Sequence, residues 1–107
     1  MITEDYCSQE VVKLLKEKGF KIKQYYNSLI NMWLDTKVTH QMAMKWFREK
    51  QGIIITVDYD EDEDCKDNER YGFTVYYKNE RDVGVGTHPT YEQAVEAALK
   101  YCLTYLI

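Results

Sequence analysis

The sequence predicts an α+β domain: an antiparallel sheet of two β-hairpins with helices packed on one face, in the order αββαββα. Three observations lead there. Three segments repeat apolar residues at helical spacing and open on cap-forming residues. Between them lie runs that alternate apolar or aromatic residues with polar ones, the period of a strand with one wet face. Tyr occurs ten times in 107 residues, and strands favour it because the ring packs while the hydroxyl reaches water.

Taken in order, Ser8 caps a first helix over about 8–18, with Val11, Val12, Leu14 and Leu15 as its apolar face and Gly19 as its left-handed stop. Phe20, Ile22, Gln24 and Tyr26 then alternate with Lys21, Lys23 and Tyr25, which predicts a strand, and Asn27-Ser28 reads as a turn. The apolar run 29–34 has strand length, although its Leu-Met-Trp content also suits a helical turn. Thr39 opens a second helix with Met42, Ala43, Trp46 and Phe47 on its stripe, ended by Gly52. The clearest hairpin comes next: Ile53–Tyr59 and Tyr71–Tyr77 around an acidic loop, with 83–86 read as a strand remnant or loose turn. Thr90 then caps the last helix, with Gln93 placed for a capping box. Its stripe is Tyr91, Ala94, Val95, Ala98, Leu99, Cys102, Tyr105 and Leu106. This length fits one domain, 1–107, with one core.

Charge is uneven along the chain. Residues 1–50 hold nine Lys/Arg against six Asp/Glu, and residues 51–107 hold five against twelve. The acidic half argues against nucleic acid, whose affinity comes mainly from cations on phosphate. Lys13, Lys16, Lys18, Lys21 and Lys23 form the one dense basic cluster, read first as the solvated side of a helix and strand and second as a weak nucleic-acid contact. Cys7, Cys65 and Cys102 are scattered without a CxxC pair, which argues against a disulfide framework and for a reducing compartment. With no signal-peptide pattern and no long apolar stretch, a cytoplasmic protein without membrane partners is expected.

Few residues suggest chemistry. Asp58, Asp60, Asp62 and Glu69 fall at positions 1, 3, 5 and 12 of an EF-hand loop, the motif for a hard cation. Glu63 stands where that loop needs glycine and both flanks read as strands, so a solvated hairpin tip is the simpler reading and no cofactor or metal is expected. Among the cysteines, Cys102 lies on the apolar stripe, Cys65 is ringed by carboxylates, and Cys7 alone has a setting mildly suited to a thiolate, just before a helix. His40 reads as a surface or capping residue and His88 as a loop residue. No enzyme is expected, the alternative being a small cation-binding or enzymatic domain that uses the acidic loop 58–69.

The string 39–46, THQMAMKW, followed by Arg48-Glu49-Lys50 and Gly52-Ile53, resembles short proteins of gut Bacteroides and of their phages and mobile elements. The string 91–103, YEQAVEAALKYCL, and the closing Leu106-Ile107 are similar to the ends of those proteins. Phe47, where an aliphatic residue is expected, and a long acidic loop depart from that pattern. The resemblance implies a fold and no activity. The function expected is a non-enzymatic interaction or accessory protein, acting on a protein partner through its sheet or last helix. Tyr101 and Leu103 are the interface candidates, because Leu103 shares a row with Glu92, Glu96 and Leu99 and so drifts off the stripe. Either a homodimer covers Leu103 or a larger monomer core absorbs it.

Overall fold

The computed structural model describes residues 5–63, 66, 69–83 and 87–107. Helix α1, Gln9–Glu17, is capped by the Ser8 hydroxyl, which accepts from the Val11 N–H, and it buries Val11 and Leu15. Gly19 comes after it at φ 96°, where a side chain would be strained. Strands β1, Gln24–Asn27, and β2, Met32–Asp35, pair antiparallel, with Asn27 opposite Met32. Helix α2, His40–Trp46, is capped by Thr39. A wider turn, Phe47–Gln51, extends it until Gly52, at φ 67°, donates to the Phe47 carbonyl and ends it. Strands β3, Ile53–Tyr59, β4, Tyr71–Tyr77, and β5, Glu80–Val83, form an antiparallel sheet with β4 in the centre. Helix α3, Tyr91–Tyr101, starts at the Thr90 cap and also closes in a wide turn, Cys102–Leu106.

The α+β class is that predicted, the order of helices and strands follows the predicted one with a fifth strand added before α3, and β3 and β4 have the predicted bounds. The sheet is divided differently. The two hairpins belong to separate sheets, and β5 joins the second through Lys78 and Asn79, whose φ of 52° and 64° give the mirror-image turn that suits strand twist. The polar run Glu80-Arg81-Asp82 hid this strand, and the register, not its propensity, holds it: Glu80 pairs with Tyr77 and Arg81 with Tyr76. Residues 84–86 lie outside those described.

The helices and the three-stranded sheet share one core. Ile53 and Val75 from the sheet meet Val11, Leu15, Ala43, Phe47, Val95, Ala98, Leu99 and Cys102, all fully buried. Two stripe assignments change. Met42 is exposed while His40 is buried, because α2 turns Ala43 and Phe47 inward. On α3 the wide turn lets the Ile107 N–H reach back to the Cys102 carbonyl, adding a residue to that turn. Leu103, one helical turn beyond the buried Leu99, enters the core at 2% exposure, and Tyr105 lies outside it at 75%. The larger core thus absorbs Leu103. Among the described residues no helix is long and apolar enough to cross a membrane.

Candidate functional site

Two features stand out from the scaffold. The first is a buried polar cluster where three elements meet. The segment before α1 and the segment before α2 run together through the Cys7 N–H to the Val38 carbonyl, 2.8 Å, and the His40 N–H to the Asp5 carbonyl, 2.9 Å. This places Cys7 beside His40 at the start of α2, with Glu96 of α3 above both. His40 Nε2 is 2.9 Å from Glu96 Oε1, and the same oxygen accepts from the Ser8 N–H at 2.8 Å. The Cys7 Sγ, a His40 ring nitrogen and a Glu96 oxygen lie within 4.8 Å of one another.

The electrostatics of the cluster are set by burial and by its hydrogen bonds. Burial alone would raise the Glu96 carboxyl, but hydrogen bonds from His40 and from the backbone and hydroxyl of Ser8 outweigh it and hold the group below the ordinary carboxylate value. Burial and the Glu96 charge push the Cys7 thiol up to about 12. The thiol is therefore protonated near neutrality and points at the Thr39 carbonyl, 3.7 Å away. This corrects the expectation that the helix start favours a thiolate there. Beside the cluster, Tyr6, His40, Glu92, Glu96 and Lys100 line an open groove of about 520 Å³.

The second feature is the β1–β2 hairpin, an arm that pairs with no other strand among the described residues. Its apolar side chains face water: Leu29 is 93% exposed, Trp33 64%, Met32 56% and Ile30 52%. Cross-strand contact of the tilted Tyr26 and Trp33 rings, with centroids 5.5 Å apart, and the bond from the Tyr26 hydroxyl to Asn31 give it local order. The turn over residues 28–31 takes the place of the first part of the strand predicted over 29–34 and leaves Leu29 and Ile30 exposed. At its root Lys16 pairs with Asp35 at 2.5 Å.

The residues singled out from sequence scatter. Asp58 lies in β3 and accepts from the Thr74 hydroxyl at 3.3 Å, and Asp60 Oδ1 accepts from the Asp62 N–H. The Arg70 guanidinium binds the Asp60 and Asp62 carbonyls from across the hairpin. Asp58, Asp60, Asp62 and Glu69 are not drawn into one ligand shell among the described residues, where only Cys7, His40 and Glu96 gather. The exposed lysines 13, 16, 18, 21 and 23 spread from α1 to the arm. Cys65 lies outside the described residues, and Cys102 is core. His88 is no plain loop residue, since it bridges to Tyr71 in both directions and stacks on Phe73. Tyr101 is half-buried against Phe73 and Tyr105, in a groove of about 650 Å³.

No family model, curated protein or solved structure matches the chain. The site is thus read from its own chemistry. His40 escaped the sequence reading because a residue just inside a cap usually faces water. The available signal was Glu96, a carboxylate amid the apolar run Ala94-Val95 and Ala97-Ala98-Leu99.

Proposed function

We propose that the protein is a non-enzymatic interaction protein that assembles through its arm. The arm of one copy lies against the aromatic, acidic end of a second. The observation that carries this is the exposure of Leu29, Ile30, Met32 and Trp33 on one protruding hairpin. A two-stranded hairpin alone is marginal in water, and an apolar one exposed in this way gains most from being covered.

The choice of occupant rests on the two ends of the chain's own fold. The molecule extends 54 × 33 × 22 Å. By the C-terminal end of α3, where Lys18 reaches the Ile107 carbonyl, α1 leads through Lys21 and Lys23 into the arm. By the N-terminal end of α3, Tyr91 meets Tyr71 edge-on and Tyr71 meets Tyr59 edge-on, beside Asp58, Asp60, Glu61, Asp62 and Glu63. Tyr59 and Tyr91 are about half exposed. Two copies side by side in opposite directions set apolar arm on aromatic wall and lysine on carboxylate, twice, in a closed two-fold pair. A cytoplasmic setting and an accessory role in a phage or mobile element belong to the same proposal, the latter resting on the resemblance of the strings at 39–53 and 91–107.

Sedimentation equilibrium from micromolar to submillimolar concentration tests it. A monomer–dimer equilibrium weakened by salt, by Trp33→Ala and by Lys21→Glu/Lys23→Glu, with an unchanged circular dichroism spectrum, is expected. A single monomer mass throughout at low salt overturns self-pairing, and a dimer indifferent to the arm variants moves the interface elsewhere.

A further inference from the structure

We propose that Cys7, His40 and Glu96 form a binding site for one divalent transition-metal ion of the zinc class, with an open coordination position toward the groove beside them. The donor set decides the class of ion. Sulfur with imidazole and carboxylate suits zinc and its near neighbours, while magnesium and calcium take oxygen donors. Three protein ligands with a fourth position left to solvent is the composition of zinc sites that bind water or a further ligand.

Geometry supplies what composition does not. The three donor atoms lie within 4.8 Å of one another, so small side-chain rotations bring them around one ion. They come from three separate parts of the fold, each held by a backbone hydrogen bond or a helix. The Ser8 N–H, 2.8 Å from Glu96 Oε1, orients the carboxylate in the manner of the outer partners of metal ligands. A His–Glu pair alone would tie α2 to α3, but it does not call for a thiol against the same two groups. His40 is 5% exposed, which shields the ion on one side, while the groove of about 520 Å³ lined by His40 and Glu96 admits it on the other.

Binding balances as an exchange. The Cys7 S–H bond breaks and its proton leaves to solvent as the sulfur–metal bond forms. His40, which donates its Nε2–H to Glu96, passes that proton to solvent and takes one up at Nδ1, so that the Nε2 lone pair is freed for the ion with no net change in its protons, and Glu96 contributes an oxygen. No redox step is involved.

Cobalt(II) titration of the metal-free chain reads the site directly, since a cobalt-bound thiolate gives a charge-transfer band in the near ultraviolet. One equivalent should develop this band together with tetrahedral ligand-field bands, and zinc should abolish both. Cys7→Ser should remove the charge-transfer band, and Glu96→Gln or His40→Gln should weaken zinc binding by roughly 100-fold or more, beyond the loss expected for an outer-shell partner. Cys65→Ser should change nothing. NMR of the unaltered chain covers the case in which a variant fails to fold: one equivalent of zinc should shift the signals of Cys7, His40 and Glu96 before any others. Absence of the band, its survival in Cys7→Ser, or zinc shifts confined to the acidic loop overturns the site.

Discussion

At the residue scale, Asp35 shows how one pair sets a titration. The Lys16 ammonium, then the Gln24 amide, hold its carboxyl below the ordinary aspartate value. The folded value thus lies below the unfolded one, so the stability this pair contributes is complete above the unfolded value and is lost as pH falls through the folded one. NMR titration of the Asp35 carboxyl should give a midpoint below that of an unpaired aspartate, and Lys16→Met should raise it toward that reference. The core gives a second contrast. Phe47 is fully buried, whereas Trp46 is half-buried with its ring 5.7 Å from Phe20. Phe47→Ala should cost about 3–5 kcal/mol in denaturant unfolding, and Trp46→Ala should cost less. Periodicity revealed both as stripe residues. It could not rank them, because ranking depends on which neighbours close over each ring.

At the element scale, caps and stops were the most legible part of the chain. Ser8, Thr39 and Thr90 each accept the N–H three residues on, and Gly19 and Gly52 each take positive φ. These are local interactions between near neighbours, and local sequence specifies them. The wide turns were not legible. A heptad-like count assumes a constant rotation per residue, and Cys102–Leu106 breaks that constancy. Leu103 and Thr104 now face opposite environments, one buried and one exposed. Leu103→Glu should unfold the domain or lower its Tm steeply by burying a charge, while Thr104→Glu should shift it little. Equal effects of the two in a thermal melt would mean that Leu103 does not lie in the core.

For the whole molecule, the sequence conveyed class and order but not the grouping of strands. Both hairpins read as members of one sheet because alternation reports that a strand has a wet face, and it is silent about which strand lies alongside. Register across β4 and β5 is a long-range matter of turn geometry. The same limit hid the buried cluster, since positions 7, 40 and 96 come together only when three elements close. The acidic loop has a structural side at this scale: Arg70 holds the Asp60 and Asp62 carbonyls with its guanidinium. Arg70→Ala should therefore speed amide exchange at Asp60 and Asp62 without lowering the protection of Val75 in the central strand. Equal loss at all three would tie the loop to global stability.

Among the described residues the arm offers a protease exposed apolar side chains, Leu29 at 93% and Trp33 at 64%. Exposed loop tips are the preferred sites of nicking, and the arm leaves the core intact when it opens. A brief chymotrypsin digest should cut first at the Leu29 or Trp33 side chains, and the nicked chain should keep its helical signal. Slower cutting at higher protein concentration would register the burial of that hairpin in a partner.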